Sequence, residues 1–365
     1  MKKRLSLGLD FGTNSVRALL TNVANGKELA TAVYEHETGQ AGIILDPQDP
    51  NLARQNPADY VVGTEVVVKV LLAEARKVDN AFSATDIIGI GVDTTGSTPL
   101  PVDRHGTPLS FKPEFKDNPN AQAWLWKDHT AYAEAAMITE LAARVHPEYL
   151  AKCSGTYSSE WFFSKLLHCL RQDPRVFEAA YSWVECCDYI PGLLTGITDP
   201  LQMKRSRCAA GHKAMFNENW GGLPSKEFLS RLDPKLGELR SRLYEKTYTS
   251  DKEAGKLAPE WADRLGLPAK IPVAVGAGPT GGGYSNFGTA QRAMCGTKEE
   301  TFRPNPEGHK IYQELYKLYA QLHDAFGTKQ WSGKMYNVMK DLLAIRDRQR
   351  KHDSEAYYGQ KKKEK

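Results

Sequence analysis

Several functional classes are excluded by what this 365-residue chain lacks. No run approaches the ~18 consecutive apolar residues that a membrane-spanning helix needs, so such a helix is excluded. The start, Met1-Lys2-Lys3-Arg4-Leu5, is basic like a signal peptide, but Asp10 and Asn14 interrupt any apolar segment behind it. There are only six cysteines and no C-x-x-C pair, which points to reduced thiols and a cytoplasmic protein. HExxH and G-x-S-x-G are absent, and His129, His168 and His212 have no metal-ligand spacing. Net charge is also scarce. The formal +4 is matched by residues 340–365 alone, which hold nine Lys/Arg against five Asp/Glu, so the remainder is balanced. The basic end Lys361-Lys362-Lys363-Glu364-Lys365 has no aromatic interleaving and reads as a solvated tail, with no nucleic-acid partner expected.

What remains, 41% hydrophobic and 25% charged, is a globular chain long enough for a large core. Apolar runs at Leu5–Asp10, Ser15–Val23 and Glu28–Glu35, with Asn25-Gly26 as a turn, predict three antiparallel strands. Gly63–Val78 reads as a helix with Val66, Val67, Val70, Leu71 and Val78 on one stripe. Ile87–Asp93 and Ile271–Gly276 are short continuous apolar runs of the kind buried in parallel sheets. Residues 97–128 are proline-rich loops, and helices are expected over 129–145, 158–171, 174–194 and 224–243, the second opening at Ser158-Ser159-Glu160. Two more are expected over His309–Phe326 and Met335–Arg350. This order predicts an α/β fold with a mixed sheet, of the ribonuclease-H-like or actin-like kind.

Four clusters carry chemistry. Asp10-Phe11-Gly12-Thr13-Asn14 forms a tight turn. Gly12 admits close backbone approach, Thr13 and Asn14 offer donors to phosphate oxygens, and Asp10 suits magnesium held through water. An ordinary hairpin fits the same residues. Gly91–Thr98 (GVDTTGST), at the end of a predicted parallel strand, gathers hydroxyls that suit a polyol, or make a polar turn. Trp124-Leu125-Trp126-Lys127-Asp128-His129 offers indoles to a sugar face and Asp128 to its hydroxyls, although core tryptophans read equally well. Arg205–Lys213 (RSRCAAGHK) is a basic loop able to face an anionic or polar substrate, or solvent. Gly276–Gly281 matches G-x-G-x-x-G, but Pro279 and Gly282-Gly283 spoil the helix a dinucleotide site requires, so it reads as a linker.

Together LGLDFGTNSVRALL, GIGVDTTGSTPLPVD, PEFKDNPNAQAWLWKDHTA, KCSGTYSSEWFFSKLLHCLR and RSRCAAGHKAM resemble the bacterial L-ribulokinases among the FGGY carbohydrate kinases. The likeness runs from Leu5 to Ala277 and resumes near Gly283, through FRPNPEG and YQELYKLYAQLHDAFG, to about Arg346. It implies an actin-like kinase that moves the ATP γ-phosphate, with Mg2+, to the terminal hydroxyl of L-ribulose or a related pentulose. By the same resemblance Asp10, Gly12, Thr13 and Asn14 approach the ATP phosphates and Mg2+, and Gly96 and Lys213 contact the sugar. Trp126, Asp128 and Glu160 are placed near the sugar by motif neighbourhood.

The chain also departs from that family. Where the family carries an aspartate as general base, followed by most of a second domain, Ala277 runs into Gly278-Pro279-Thr280-Gly281-Gly282-Gly283. No aspartate lies between Ala277 and His323. The expected organisation is an N-terminal sugar-binding domain over 1–277, a glycine-rich junction at 278–284, residual C-terminal helices over 285–352 in place of a complete second domain, and a basic tail at 353–365. No catalytic base is assigned, and activity is expected to be absent or severely impaired. The alternative is a non-catalytic sugar-binding module, or one that self-associates through the face bared by the deletion.

Overall fold

The computed structural model of the chain describes residues 4–276, 287–295, 303–329 and 331–361. Leu5, Leu7, Leu9 and Phe11 are buried and alternate with partly exposed neighbours along β1 (Leu5–Phe11). β1 pairs antiparallel with β2 (Ser15–Asn22), and β2 with β3 (Glu28–Glu35). In the turn between the last two, Gly26 has φ +70°, which a glycine adopts without strain. These bounds match the expected ones to within a residue. β4 (Ile44–Asp46) and β5 (Asp49–Gln55) follow, and Pro50 and the charges of β5 hide its strand pattern.

α1 (Pro57–Val78) starts six residues earlier than the periodicity suggests, because Asn56 accepts the Ala58 N–H at 3.0 Å and Pro57 fits the first turn. Its stripe is also corrected. Val67, Val68, Leu71, Leu72 and Ala75 are buried, whereas Val66, Val70 and Val78 are exposed. Valines surround this helix, so the sheet selects the face. At Gly63 an added Cβ would lie 2.7 Å from Val16 and 2.9 Å from Tyr34.

β6 (Ile87–Thr94) runs parallel to β1, with Leu7 opposite Ile90 and Asp10 opposite Asp93. The proline-rich stretch contains β7 (Pro99–Val102) and β8 (Ala123–Trp124) around three short 3-10 turns. α2 (Tyr132–Val145) and α3 (Phe162–Gln172) come next. Ser158 does not cap α3. Its hydroxyl accepts the Glu160 N–H at 3.2 Å in a turn ahead of the helix. The single helix expected over 174–194 is instead α4 (Pro174–Ala179), β9 (Ser182–Glu185) and α5 (Cys186–Thr195). Trp183 and Val184 pair across to Pro101 and Leu100 of β7, a tertiary pairing that overrides helical spacing.

After β10 (Arg205–Ser206) and α6 (Arg207–Ala210), the helix expected over 224–243 breaks into α7 (Lys226–Leu232) and α8 (Pro234–Leu239). Asp233 caps α8 by accepting the Lys235 N–H, and Pro234 cannot continue α7. β11 (Thr247–Tyr248), β12 (Glu253–Lys256), α9 (Pro259–Leu265), β13 (Pro272–Ala274) and α10 (Phe287–Met294) complete the first compact unit, Met1–Gly296.

Its main sheet has the order β12-β13-β6-β1-β2-β3. β1, β6 and β13 are parallel, while β2 and β12 run against their neighbours. This is the mixed ribonuclease-H-like sheet the element order implies. α1 lies against β2 and β3, and α5 against β6, β12 and β13. Leu7, Leu20, Leu71, Ile90, Ile190 and Val273 form the centre of that core. A second core gathers Trp124, Phe162, Phe163, Trp183 and Phe228 around α3 and α7.

The other unit, Thr297–Lys365, contains α11 (Pro306–Gly327), longer at both ends than expected, and α12 (Val338–Lys361), which starts after the expected Met335 and ends well past the expected Arg350. Arg348 of α12 pairs with Glu314 of α11 at 2.5 Å. The helical backbone of α12 runs to Lys361, into the expected tail. The junction 278–284 and most of the G-x-G-x-x-G-like run lie outside the described residues.

Asp128 belongs to the second core. It has no exposed surface, its Oδ2 accepts the Ala53 N–H at 2.8 Å, and its Oδ1 accepts the Thr130 hydroxyl at 2.6 Å. Arg54 pairs with it and stacks on Trp124, 3.4 Å from the ring centroid. Removing one member of a buried pair leaves the other uncompensated. The Asp128→Ala variant is therefore expected to lose about 3–5 kcal/mol of stability by urea unfolding. A loss below ~1 kcal/mol would show that Asp128 is not a structural residue.

Candidate functional site

The carboxyl ends of the parallel strands β1 and β6 lie side by side, and each leads into a short polar loop. After β1 the chain turns at once, and the Gly12 N–H donates to the Ser15 carbonyl at 2.9 Å. Gln55 Nε2 donates to the Thr13 carbonyl at 2.8 Å and to that of Gly12 at 3.3 Å, while the Tyr60 hydroxyl donates to Gln55 Oε1 at 2.6 Å. The hairpin is thus braced from the core. A Cβ on Gly12 would find only ordinary contacts, the nearest being Ser15 O at 3.4 Å, so the space above it is open to a ligand.

One of the two Asn14 amide protons is committed, donating to the Ala41 carbonyl at 2.6 Å, while the residue stays exposed. Trp126 lies here, its indole N–H donating to Thr13 Oγ1 at 3.0 Å. Asp10 sits 3.5 Å from Arg17 Nη1 and opposite Asp93 in the sheet. Partial burial pushes its carboxyl above the usual range, with Arg17 pulling it down and Asp93 pushing it further up. Two carboxylates against one guanidinium suit a divalent cation that keeps its water shell. Among the described residues no group of three or more His, Cys, Asp or Glu forms a metal cage.

The loop after β6 is fastened to the hairpin by the Thr95 N–H, which donates to the Phe11 carbonyl at 2.9 Å. Lys213 reaches Gly96 from another part of the chain, so closely that a Cβ on Gly96 would overlap its Nζ. The backbone of Lys213 is set by the Tyr157 hydroxyl, which donates to its carbonyl at 2.5 Å and accepts the Phe163 N–H at 3.1 Å. His212 packs edge-on against Trp161, with centroids 5.1 Å apart. Gly96 and Lys213, distant in sequence, therefore meet. Glu160 is partly exposed, 3.9 Å from His129 Nε2, and its charge acts on Lys165 beneath the loop.

Two buried charges beneath this loop escaped the sequence reading. Lys165 of α3 and Glu185 of β9 are both buried. Burial pulls the Lys165 ammonium down and pushes the Glu185 carboxyl up, and each charge opposes the other's shift. Their signal lay in the sequence as a lysine inside FFSKLL and an acid inside WVECC, charges in otherwise apolar runs. A cavity of about 720 Å3, lined by residues including Leu45, Leu52, Val62 and Phe111, shares no lining residue with either loop.

Comparisons with known proteins show the family and the fold. The family described as "FGGY family of carbohydrate kinases, N-terminal domain" matches residues 5–283. The ribulokinase of Vibrio parahaemolyticus is 44% identical over 271 residues, covering 74% of this chain and 47% of that protein. That of Halalkalibacterium halodurans is 35% identical over 285 residues, covering 76% and 48%. Among solved structures, xylulose kinase from Rhodospirillum rubrum superposes with a TM-score of 0.58 at 23% identity, over 75% of this chain and 49% of that one. The chain spans about half the length of the curated relatives it matches. With its sheet order and the matched span over residues 5–283, the chain belongs to the FGGY family of carbohydrate kinases.

Proposed function

We propose that the first unit is the sugar-binding half of an ATP-dependent ribulokinase-type enzyme, taking L-ribulose or a close pentulose beside the Gly96–Lys213 contact. The observation that carries this is the Lys213 ammonium seated over Gly96, in a loop bonded to the Asp10–Asn14 hairpin. An ammonium donates to the hydroxyl and carbonyl oxygens of a ketose, and the missing side chain at Gly96 is what lets the ammonium come this close to the loop. The hairpin Asp10–Asn14 is the place for ATP phosphates. Asp10 and Asp93 would hold Mg2+ through water, where it neutralises phosphate charge. The V. parahaemolyticus relative is named a ribulokinase, which favours L-ribulose. Among the described residues no helix is long and apolar enough to cross a membrane, and the six cysteines are free, which supports a cytoplasmic location.

Lys213→Met is expected to weaken L-ribulose binding by at least about tenfold in calorimetry with little change in unfolding temperature. Gly96→Ala should do the same, since its methyl displaces only the flexible end of Lys213. Full affinity in both variants would remove the sugar from this loop.

In the transfer itself, the sugar's terminal oxygen bonds to the γ-phosphorus as the bond to the ADP oxygen breaks, and the hydroxyl proton passes to a base. Residues 277–323 contain no aspartate to take it. Loss of a positioned base costs about 10²–10⁴-fold. L-ribulose-dependent ADP formation from Mg-ATP is therefore expected to stay at background for the folded chain. Turnover that survives purification would overturn the impaired reading.

A second reading rests on α11. Tyr312, Tyr316, Tyr319, His323 and Phe326 repeat at four-three spacing, and the four aromatics other than His323 are 61–81% exposed. That spacing is the seam of a helix pair, and the occupant proposed is α11 of a second copy. Burying these aromatics from both helices removes roughly 1,000 Å2, the low end of a specific interface. Light scattering should then show a concentration-dependent dimer, abolished by Tyr316→Glu with Tyr319→Glu. A monomer at the highest soluble concentration would exclude it.

A further inference from the structure

We propose that Lys165 and Glu185 are positioning residues that clamp the two polar ends of one peptide unit, Ser97–Thr98, and thereby aim Gly96 at Lys213. Lys165 Nζ donates to the Ser97 carbonyl at 2.7 Å, and Glu185 Oε2 accepts the Thr98 N–H at 2.8 Å. The carbonyl and the N–H belong to the same peptide bond. A cation therefore sits at the negative end of its dipole and an anion at the positive end, an arrangement that a flipped peptide would reverse.

The clamp has a conformation to hold. Ser97 has φ +61°, in the left-handed region that serine adopts seldom. It directly follows Gly96, where Lys213 makes its close approach. Thr98 is tied from its other side as well, its carbonyl accepting the Cys186 N–H at 3.0 Å. Lys165 does more than hold Ser97. Its remaining protons go to the carbonyls of Leu125 at 2.9 Å and Trp124 at 3.2 Å, which uses all three donors of the ammonium. The residue after Leu125 is Trp126, whose indole reaches Thr13 of the hairpin. One buried ammonium therefore fixes the sugar loop and the segment that touches the phosphate hairpin. Glu185 keeps a buried Oε1 with no hydrogen-bond partner.

The consequence for affinity rests on the pentulose reading above, while the clamp itself is read without any sugar. In Glu185→Ala, hydrogen exchange at the Thr98 amide should accelerate by about 100-fold or more, whereas Glu185→Gln, which keeps the acceptor, should stay within about tenfold of the parent. L-ribulose affinity should fall at least about tenfold in Glu185→Ala and be restored by Glu185→Gln to within about threefold. Leu167→Ala, a core truncation in α3, should lower the unfolding temperature and leave sugar affinity unchanged. If Glu185→Ala does not fold, Glu185→Gln still decides, because replacing the charged acceptor must shift the Thr98 amide proton upfield. An unshifted Thr98 resonance in Glu185→Gln, unchanged exchange in Glu185→Ala, or equal sugar loss in Leu167→Ala would each overturn the positioning role. Absence of L-ribulose binding in the parent chain overturns the pentulose reading instead, and the exchange result then decides the clamp alone.

Discussion

A peptide unit gripped between two buried charges is the constraint on which the site depends. Placing an ammonium and a carboxylate inside the protein costs several kcal/mol per ion before any return, and an apolar pair of similar size would stabilise the core better. The arrangement makes sense as a device for orientation. Arg54 with Asp128 and Arg205 with Asp188 follow the same pattern, both pairs lying within the core and each acid also accepting a backbone N–H. In all three cases ionic groups hold loops in one conformation around the ends of the strands.

Those strand ends define what half of a kinase can do. β1 supplies the hairpin and β6 the loop proposed for the sugar, and the Thr95 N–H to Phe11 carbonyl bond keeps them in register. β13 ends beside them through Ser206, whose hydroxyl donates to the Gly276 carbonyl at 3.3 Å. Gly276 itself is packed so tightly on the Cys187 carbonyl that no side chain fits there. The chain therefore leaves the sheet at a fixed point before it reaches the segment that departs most from the family pattern. On the proposed function, binding geometry and catalytic chemistry separate at that point: the former is built by residues before Gly276, and the latter needs a base and a second phosphate-binding wall.

Much of the fold was legible because its signals are local. The opening hairpins follow from alternation and from Asn25-Gly26, and α11 from its strong amphipathic spacing. β9 was not legible. Trp183 and Val184 carry no strand signal apart from their partners in β7, more than 80 residues away. Within the site, Gly96 and Lys213 came from family resemblance, and the structure brings them together. Asp128 was misjudged because a carboxylate that serves the core looks the same in sequence as one that serves a ligand. Lys165 and Glu185 were missed for the opposite reason, since periodicity treats a charge in an apolar run as noise. Only three-dimensional pairing shows that those two positions are spent on one peptide bond.

The contact between Trp126 and Thr13 gives the molecule an intrinsic optical gauge. Trp126 is the tryptophan most open to water among the described residues, whereas Trp124 and Trp183 are fully buried. Its indole N–H is spent on a hydroxyl of the phosphate hairpin. Emission from such an indole responds to the polarity and bonding of its immediate surroundings, so rearrangement of the hairpin registers as a change in colour, while the buried indoles supply a constant background. The hairpin proposed for the ATP phosphates therefore carries its own fluorophore, and its state can be followed in the unlabelled protein in real time.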